Sequence, residues 1–511
     1  LMLGYPPTLG VFKRLAHSNA LANLREVPED AGTIHPSLVG DINVVEIEMV
    51  AGRTILSRIL VKNTMQDRRV RIEGVGEWDV IVPPTVYPPK EDTLMLCDVL
   101  SKLSAKSDSK AMEIGCGSGL VTMVLSALGW EVTACDVNPF AVACTRGNLE
   151  ANGLSDRASI IEADFESDFP IPEDTELVVW NLPYLEEDEE NFGVLEKIEE
   201  AALADIPKGG WGGVLLKSLE NSRSDLPENI MAILVMRTDP VGSSRVLDWE
   251  QNGWSSRTLR MERFGDEKLE VIGFWRTGSG KAPTILDSCT STMDEAESLP
   301  LGGWQRILSK KQTKGRGRRG SDWVSEEGGL FATWSLEVEL LEKIPPGLIQ
   351  TSIGAIVSEV LGADMKWPND IVDENGVKIG GVLVESSNNN SIRVGVGANR
   401  SGFAEGGVVA SGWEETIGGL DFLEIFHRVD RAISSTFENK KMIAATDSAK
   451  LSQSSWKALS RFLSRGVLTT LDGEMYRPTG MNESGELELV GIEERAVFED
   501  LDGIFWILPN H

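Results

Sequence analysis

Between Ala111 and Leu216 short apolar runs alternate with stretches of helical period, and this alternation limits the fold more than any other feature of the chain. Ala111–Ile114, Glu131–Cys135, Glu176–Trp180 and Gly212–Leu216 read as strands, and Leu120–Leu128 and Pro139–Asn152 read as helices. Strands separated by helices pair in parallel, so the expectation is an α/β domain with a mostly parallel sheet and helices on both faces. At 511 residues the chain exceeds one hydrophobic core, and at least two domains are expected. The boundary falls at Arg276-Thr-Gly-Ser-Gly-Lys-Ala-Pro283, which is small, polar and rich in turn formers, with apolar patterns resuming on either side. The divisions are residues 1–84, an extension of unknown role; 85–276; a linker at 277–283; 284–465; and 466–511. In the extension Val44–Val50, Thr54–Val61 and Val80–Val82 read as strands, without a chemical motif.

Composition excludes several functions. A formal net charge of −30 repels a phosphate backbone, which argues against DNA and against RNA as general partners. No apolar run reaches the length of a membrane span, and the N-terminus lacks the charged-then-apolar order of a secretory signal. The five cysteines form no C-x-x-C pair and read as reduced thiols of a cytoplasmic protein. His17, His35, His427 and His511 stand away from every motif, so the chemistry rests on other groups.

Two sets of motifs carry that chemistry. In the first half, the strand Ala111–Ile114 runs into Gly115-Cys-Gly-Ser-Gly119, with Glu113 just before it. A G-x-G-x-G loop with a preceding acid points to S-adenosylmethionine rather than a dinucleotide. Asp136, at the end of the next strand, is placed to accept the ribose hydroxyls, and Asp164 to meet the adenine amine. After the strand Glu176–Trp180 comes Asn181-Leu-Pro-Tyr184. Transfer of a methyl group to a planar nitrogen needs the N–H groups held. The Asn181 side-chain oxygen and the Leu182 carbonyl can accept them, Tyr184 can stack on the planar group, and Pro183 completes the acceptor-binding motif. The alternative for each acid is a helix cap or a solvated turn, and for the last motif a plain turn.

In the second half, Lys310, Lys311, Lys314, Arg316, Arg318 and Arg319 form a basic island broken by Gly315, Gly317 and Gly320. Guanidinium forks on a backbone that can turn sharply suit phosphate and carboxylate groups, and the alternative is a solvated basic loop. Thr290-Ser-Thr292 precedes the island. Lys366-Trp-Pro-Asn-Asp370, Lys378-Ile-Gly-Gly381 and Gly395-Val-Gly-Ala-Asn399 follow it.

From about residue 284 onward, these four motifs in this order resemble the biotin protein ligase family. The resemblance implies an α+β catalytic domain followed by a small C-terminal β-barrel, for which the alternating runs Val467–Leu471 and Leu487–Val490 suffice. It implies activation of biotin by ATP with magnesium, then transfer to a lysine of a biotin carboxyl carrier protein domain. Ser291 and Thr292 would bond the biotin ureido ring, and Gln312 and Gly315 would contact biotin. Arg316 and Arg318, with Arg319 beside them, would hold its carboxylate and then the adenylate phosphate. Lys378 would neutralise charge during adenylation; Asn369 and Asp370 would line the nucleotide side, with Asp370 on the magnesium. Lys366, Gly380 and Asn399 complete the implied set. Trp323 and Trp367 suit apolar walls or plain core. Met293 stands where the family carries Asn, and the helix-turn-helix that precedes some members is not recognisable, which argues against a repressor role.

Residues 85–276 resemble the glutamine methyltransferases of the HemK/PrmC type. The likeness rests on Val86-Tyr-Pro-Pro-Lys-Glu-Asp-Thr93, on Glu113–Gly119, on Asp136-Val-Asn-Pro139 and on the Asn181 motif. It implies a Rossmann-like domain that methylates a protein glutamine, such as one in a translation release factor. Leu182 replaces the usual Pro, a change also seen in adenine methyltransferases acting on ribosomal RNA. Two alternatives therefore stay open: an RNA adenine methyltransferase, or a non-catalytic module that binds the carrier protein.

Overall fold

The computed structural model describes residues 42–50, 53–61, 66–103, 109–165, 171–184, 207, 209–300, 302–324, 326–340, 343–386, 391–405, 407–440, 442–443, 446–471, 473–491, 495–498 and 504–508. The chain divides into two compact units, residues 1–248 with 258–273, and residues 249–257 with 274–511.

Two hairpins come first, β1 (Ile42–Val50) with β2 (Arg53–Val61) and β3 (Gln66–Ile72) with β4 (Gly76–Val82). A seven-stranded sheet follows in the order β10-β11-β9-β8-β5-β6-β7. Its strands are β5 (Lys110–Ile114), β6 (Glu131–Asp136), β7 (Ala158–Glu162), β8 (Leu177–Asn181), β9 (Met231–Asp239), β10 (Trp254–Phe264) and β11 (Glu267–Arg276). The pairings β5–β6, β5–β8, β6–β7 and β8–β9 are parallel. A parallel sheet covered on both faces needs unbroken apolar strands. Leu177-Val-Val-Trp180 and Met231-Ala-Ile-Leu-Val235 supply them, and all nine residues are buried. Helices α1 (Glu91–Leu100), α2 (Leu120–Ala127), α3 (Pro139–Ala151) and α4 (Gly210–Asn221) belong to the same unit. Helix α3 begins where the sequence stops it from being a strand: the Asn138 side chain accepts from Phe140 N–H, and Pro139 takes the first helical position. Asn148 on α3 holds β4, exchanging hydrogen bonds with the Ile81 backbone at 3.0 and 2.9 Å.

One expected strand is a helix. Gly212–Leu216 lies within α4, which starts after Gly209 at a φ of 88°. Leu215, Leu216 and Leu219 are buried there at helical spacing, whereas a strand would have buried alternate residues. The segment expected as a linker opens with a 3-10 turn, Thr277–Gly280, in which Thr277 and Gly278 are buried.

The second unit is built on a sheet in the order β12-β13-β16-β20-β19-β18-β17. The strands are β12 (Thr284–Leu286), β13 (Gln305–Ser309), β16 (Leu330–Glu337), β17 (Asp364–Lys366), β18 (Asp370–Val372), β19 (Lys378–Ser386) and β20 (Ser391–Ala398). The short pair β14 (Gly315–Arg316) and β15 (Asp322–Trp323) lies in the basic loop, and β21 (Phe403–Glu405) pairs with β22 (Val408–Ala410). Helices α5 (Pro346–Val360), α6 (Phe422–Phe437) and α7 (Ser448–Leu463) close the core. Ile425, Phe426, Val429 and Ile433 give α6 one apolar stripe against Trp334, Ile349 and Ile353. Asp430 is buried in that stripe because both the Trp304 and the Trp334 indole N–H donate to it at 2.8 Å and Arg306 pairs with it at 3.1 Å. Strands β23 (Leu468–Leu471), β24 (Glu474–Met481), β25 (Leu487–Val490), β26 (Arg495–Phe498) and β27 (Ile504–Ile507) form an antiparallel sheet in the order β26-β25-β24-β23-β27. Its buried face packs on Trp367, Phe462 and Leu459. Among the described residues no helix is long and apolar enough to cross a membrane.

Candidate active sites

In the N-terminal unit β5, β6 and β8 end side by side, and each strand end delivers one motif. Such C-terminal strand edges are where open parallel sheets bind ligands. Gly115, Gly117 and Gly119 follow β5 at φ 72°, 52° and 84°, the left-handed region that glycine adopts without strain. A side chain at Gly119 would stand 2.9 Å from Thr145, so the loop also needs glycine for space. Asp136 at the end of β6 accepts the Gly117 N–H at 2.9 Å and the Asn138 N–H at 2.8 Å, which ties the loop to the acid expected to meet a ribose. Burial holds the Asp136 carboxyl above the usual carboxylate range, against the pull of those N–H donors. Glu113 sits below the loop at 4% exposure and accepts from the Thr122 hydroxyl on α2. Burial pushes its carboxyl up to about 8. The Thr122 contact ties it to the first turn of α2. Burial likewise pushes the Cys135 thiol up to about 12, which leaves it inert as a nucleophile. Asp164 is half-buried after β7.

Asn181 ends β8, with Leu182 fully buried behind it and Pro183 and Tyr184 half-buried. Its amide nitrogen donates to Asp92 Oδ2 at 2.9 Å, and its oxygen is buried with no partner among the described residues. Burial and the Asp92 carboxylate push the Tyr184 phenol well above its ordinary range. Asp92 is the residue that sequence reasoning misses. The segment Val86–Thr93 stands out in the sequence, but nothing in it gives Asp92 a task until α1 brings it against β8.

In the C-terminal unit one cavity of about 260 Å³ gathers most of the second motif set. Ser291, Thr292, Gln312, Arg316, Arg318, Trp323, Asn369, Asp370 and Lys378 line it, whereas Gly315, Lys366, Gly380 and Asn399 do not. The Arg319 side chain lies outside the described residues. Ser291 caps the helical turn Thr292–Glu295. Gln312 Oε1 accepts from Thr292 N–H at 2.8 Å and from its hydroxyl at 3.2 Å. The cations already have acids: Arg316 pairs with Asp294 at 2.8 Å and Glu385 at 3.3 Å, and Lys378 pairs with Asp370 at 2.6 Å. Lys378 also lies 5.5 Å from the centre of the Trp323 ring. Asn369 is buried and donates to Val382 O at 2.8 Å. Trp367, open between wall and core in the sequence, is core: it is 1% exposed and donates to Gly485 O.

Strand β20 supplies lining that the sequence marked without explaining. A side chain at Gly395 would stand 2.8 Å from the Met293 sulfur, and one at Gly397 would stand 2.9 Å from Trp323. The two glycines let Met293 and Trp323 lie directly on the strand. Among the described residues no group of three or more His, Cys, Asp or Glu gathers for a metal.

With this geometry in view, the comparisons divide the chain in the same way. The family model "Methyltransferase small domain" matches residues 92–235, and "Biotin/lipoate A/B protein ligase family" matches residues 288–399. The chain joins a methyltransferase small domain to a biotin/lipoate ligase domain. Its ligase half is similar to the biotin–[acetyl-CoA-carboxylase] ligase of Paracoccus denitrificans, 32% identical over 25% of this chain and 58% of that protein. Its methyltransferase half is similar to the release factor glutamine methyltransferase of Shewanella oneidensis, 30% identical over 23% of this chain and 43% of that protein. The same half is similar to the ribosomal RNA small subunit methyltransferase C of Chromohalobacter salexigens, 29% identical over 24% of this chain and 35% of that protein. The matched stretches thus span from about a third to just over half the length of these relatives.

Proposed function

We propose that the chain carries two enzymes: a ligase that activates biotin with ATP and attaches it to a carrier lysine, and an S-adenosylmethionine-dependent methyltransferase acting on a protein glutamine. For the ligase, the observation that carries the reading is the single cavity in which Ser291, Thr292, Gln312, Arg316, Arg318, Asp370 and Lys378 meet. The buried Ser291 and Thr292 and the half-buried Gln312 offer neutral hydrogen-bonding groups that suit a ureido ring. Arg316 and Arg318 suit the biotin carboxylate, and Lys378 the charge that develops as that carboxylate attacks the α-phosphorus and pyrophosphate leaves with the bonding electrons. The carrier amine then attacks the acyl carbon, AMP departs, and the amine's proton passes to water. Asp370 would hold a magnesium ion, which needs only one or two carboxylates when phosphates complete its shell. The five cysteines are free thiols, which suits the reducing cytoplasm. The C-terminal sheet is read as the small barrel of this family, supported by its antiparallel order.

For the methyltransferase, the carrying observation is the buried Asn181 oxygen, without a partner among the described residues, at the strand edge next to the glycine loop. Gly115, Gly117 and Asp136 fit S-adenosylmethionine, which when bound supplies an electrophilic methyl on sulfur. Asn181 and the Leu182 carbonyl would orient the acceptor N–H groups so that the nitrogen lone pair faces that carbon. As the N–C bond forms, the C–S electrons go to sulfur and one N–H proton leaves to water. The net charge favours a protein acceptor. The similarity to a ribosomal RNA methyltransferase supports a second reading, an RNA adenine amine.

Incubation with biotin, ATP, magnesium and a biotin carboxyl carrier domain should give a streptavidin-reactive carrier. Labelled S-adenosylmethionine should mark a release factor and not ribosomal RNA. An unlabelled carrier would refute the ligase, and label in RNA would favour the second methyl acceptor.

A further inference from the structure

Resting on the methyl-transfer reading above, we infer that Asp92 is a positioning residue that sets which end of the Asn181 amide faces the acceptor. An asparagine amide has two nearly isosteric ends, and only the surrounding hydrogen bonds decide between them. Methyl transfer needs the oxygen end outward, because the acceptor nitrogen carries N–H donors. The NH2 end outward would set donor against donor.

Asp92 makes that choice by elimination. It is 2% exposed and lies on the first turn of α1, against the end of β8. Its Oδ2 takes the Asn181 amide at 2.9 Å and the Tyr87 hydroxyl at 3.3 Å. Its Oδ1 takes the Thr93 N–H at 2.7 Å and the Thr93 hydroxyl at 3.3 Å. Each of these contacts is a donor meeting a carboxylate oxygen. Asn181 must therefore turn its NH2 toward Asp92, and its oxygen is left buried without a partner among the described residues. A buried acceptor without a donor is unfavourable, so it marks the atom that a ligand N–H would meet.

The arrangement has a consequence that a merely structural acid would not share. In Asp92→Asn the single side-chain oxygen is claimed by the Thr93 N–H, so the new NH2 faces Asn181. Asn181 then flips to accept from it and presents its own NH2 outward. Adding Asn181→Asp restores an acceptor on both sides, since one carboxylate oxygen can take the NH2 introduced at position 92 and the other can face the acceptor. Asn181→Asp alone sets two carboxylates against each other.

The test has two readouts. In protein labelled with 15N-asparagine, the Asn181 side-chain resonance is assigned by its loss in Asn181→Asp. Its NH2 hydrogens should exchange slowly in the wild type and fast in Asp92→Leu. Methyl transfer is read with labelled S-adenosylmethionine against a purified release factor and purified small-subunit ribosomal RNA. Asp92→Asn should lose about a hundredfold in transfer, as expected when an orienting contact is lost, and the double variant should regain at least about tenfold of that. Fast exchange in the wild type, or a double variant no better than Asp92→Asn, would overturn the role of Asp92. No transfer by the wild type to either acceptor would overturn the methyl-transfer reading itself, and with it any positioning role, whatever the exchange rates show.

Discussion

At the N-terminal site the acids Glu113 and Asp136 are bonded to neutral partners, whereas at the C-terminal site the charged groups are half-exposed and paired with opposite charges. Glu113 holds a threonine hydroxyl and Asp136 holds backbone N–H groups. In the other unit Arg316 rests on Asp294 and Glu385, and Lys378 rests on Asp370. Ion pairs at about 40% exposure, as for Arg316 and Lys378, contribute roughly 0–1 kcal/mol. Exchanging such acids for a ligand anion would therefore cost little. The N-terminal acids are not exchanged in this way, because their partners are a threonine hydroxyl and backbone N–H groups of the fold itself. At that site the Asn181 oxygen is a buried acceptor without a partner among the described residues.

The contrast can be pressed from its strongest consequence to its weakest. Lys378→Ala should slow pyrophosphate release by about a hundredfold or more at saturating biotin and ATP, as for loss of a group aimed at developing charge. Unchanged release would mean that the Lys378–Asp370 pair is structural. Arg318→Gly should adenylate normally and then leak. A charge-assisted fork is worth roughly 1.5–3 kcal/mol, a factor of about ten to a hundred and fifty in retention. Streptavidin blotting with carrier and a bystander protein present should show the bystander labelled; full selectivity for the carrier would remove the clamp role. Glu113→Gln tests the buried side. The Glu113 carboxyl is raised to about 8 in the folded protein against roughly 4.3 unfolded. Its stabilising contribution is thus complete below the unfolded value and lost as pH rises through about 8. The wild type should lose thermal stability between these values by up to about 1.4 kcal/mol per pH unit, and Glu113→Gln should be flatter across the window. Parallel melting curves for the two proteins would show Glu113 ionised in the fold from the start.

What was legible in the sequence followed the strength of local signals. The glycine loop, Asp136 and the Asn181 motif sit at the ends of short strands that the sequence already marked, and all fell at one sheet edge. Gly212–Leu216 misled because an apolar run of that length fits a buried strand as well as a buried helix face. The left-handed start at Gly209 and the spacing of Leu215, Leu216 and Leu219 decided for the helix. In the ligase half the basic island was visible, but its acids were not: Asp294 and Glu385 come from a helical turn and from β19, far from Arg316 in the chain. Asp92 escaped for the same reason, since its partner lies 89 residues away.

The central claim is that two separate active sites share this chain, and a crosswise assay of one preparation tests it most directly. Biotinylation of a carrier domain and methylation of a release factor are measured side by side for the wild type, Asn181→Ala and Lys378→Ala. The wild type should do both. Asn181→Ala should lose methyl transfer by about a hundredfold, retain equilibrium binding of S-adenosylmethionine, and biotinylate at the wild-type rate. Lys378→Ala should show the reverse. Loss of both activities in either variant, or retained methyl transfer in Asn181→Ala, would contradict the assignment.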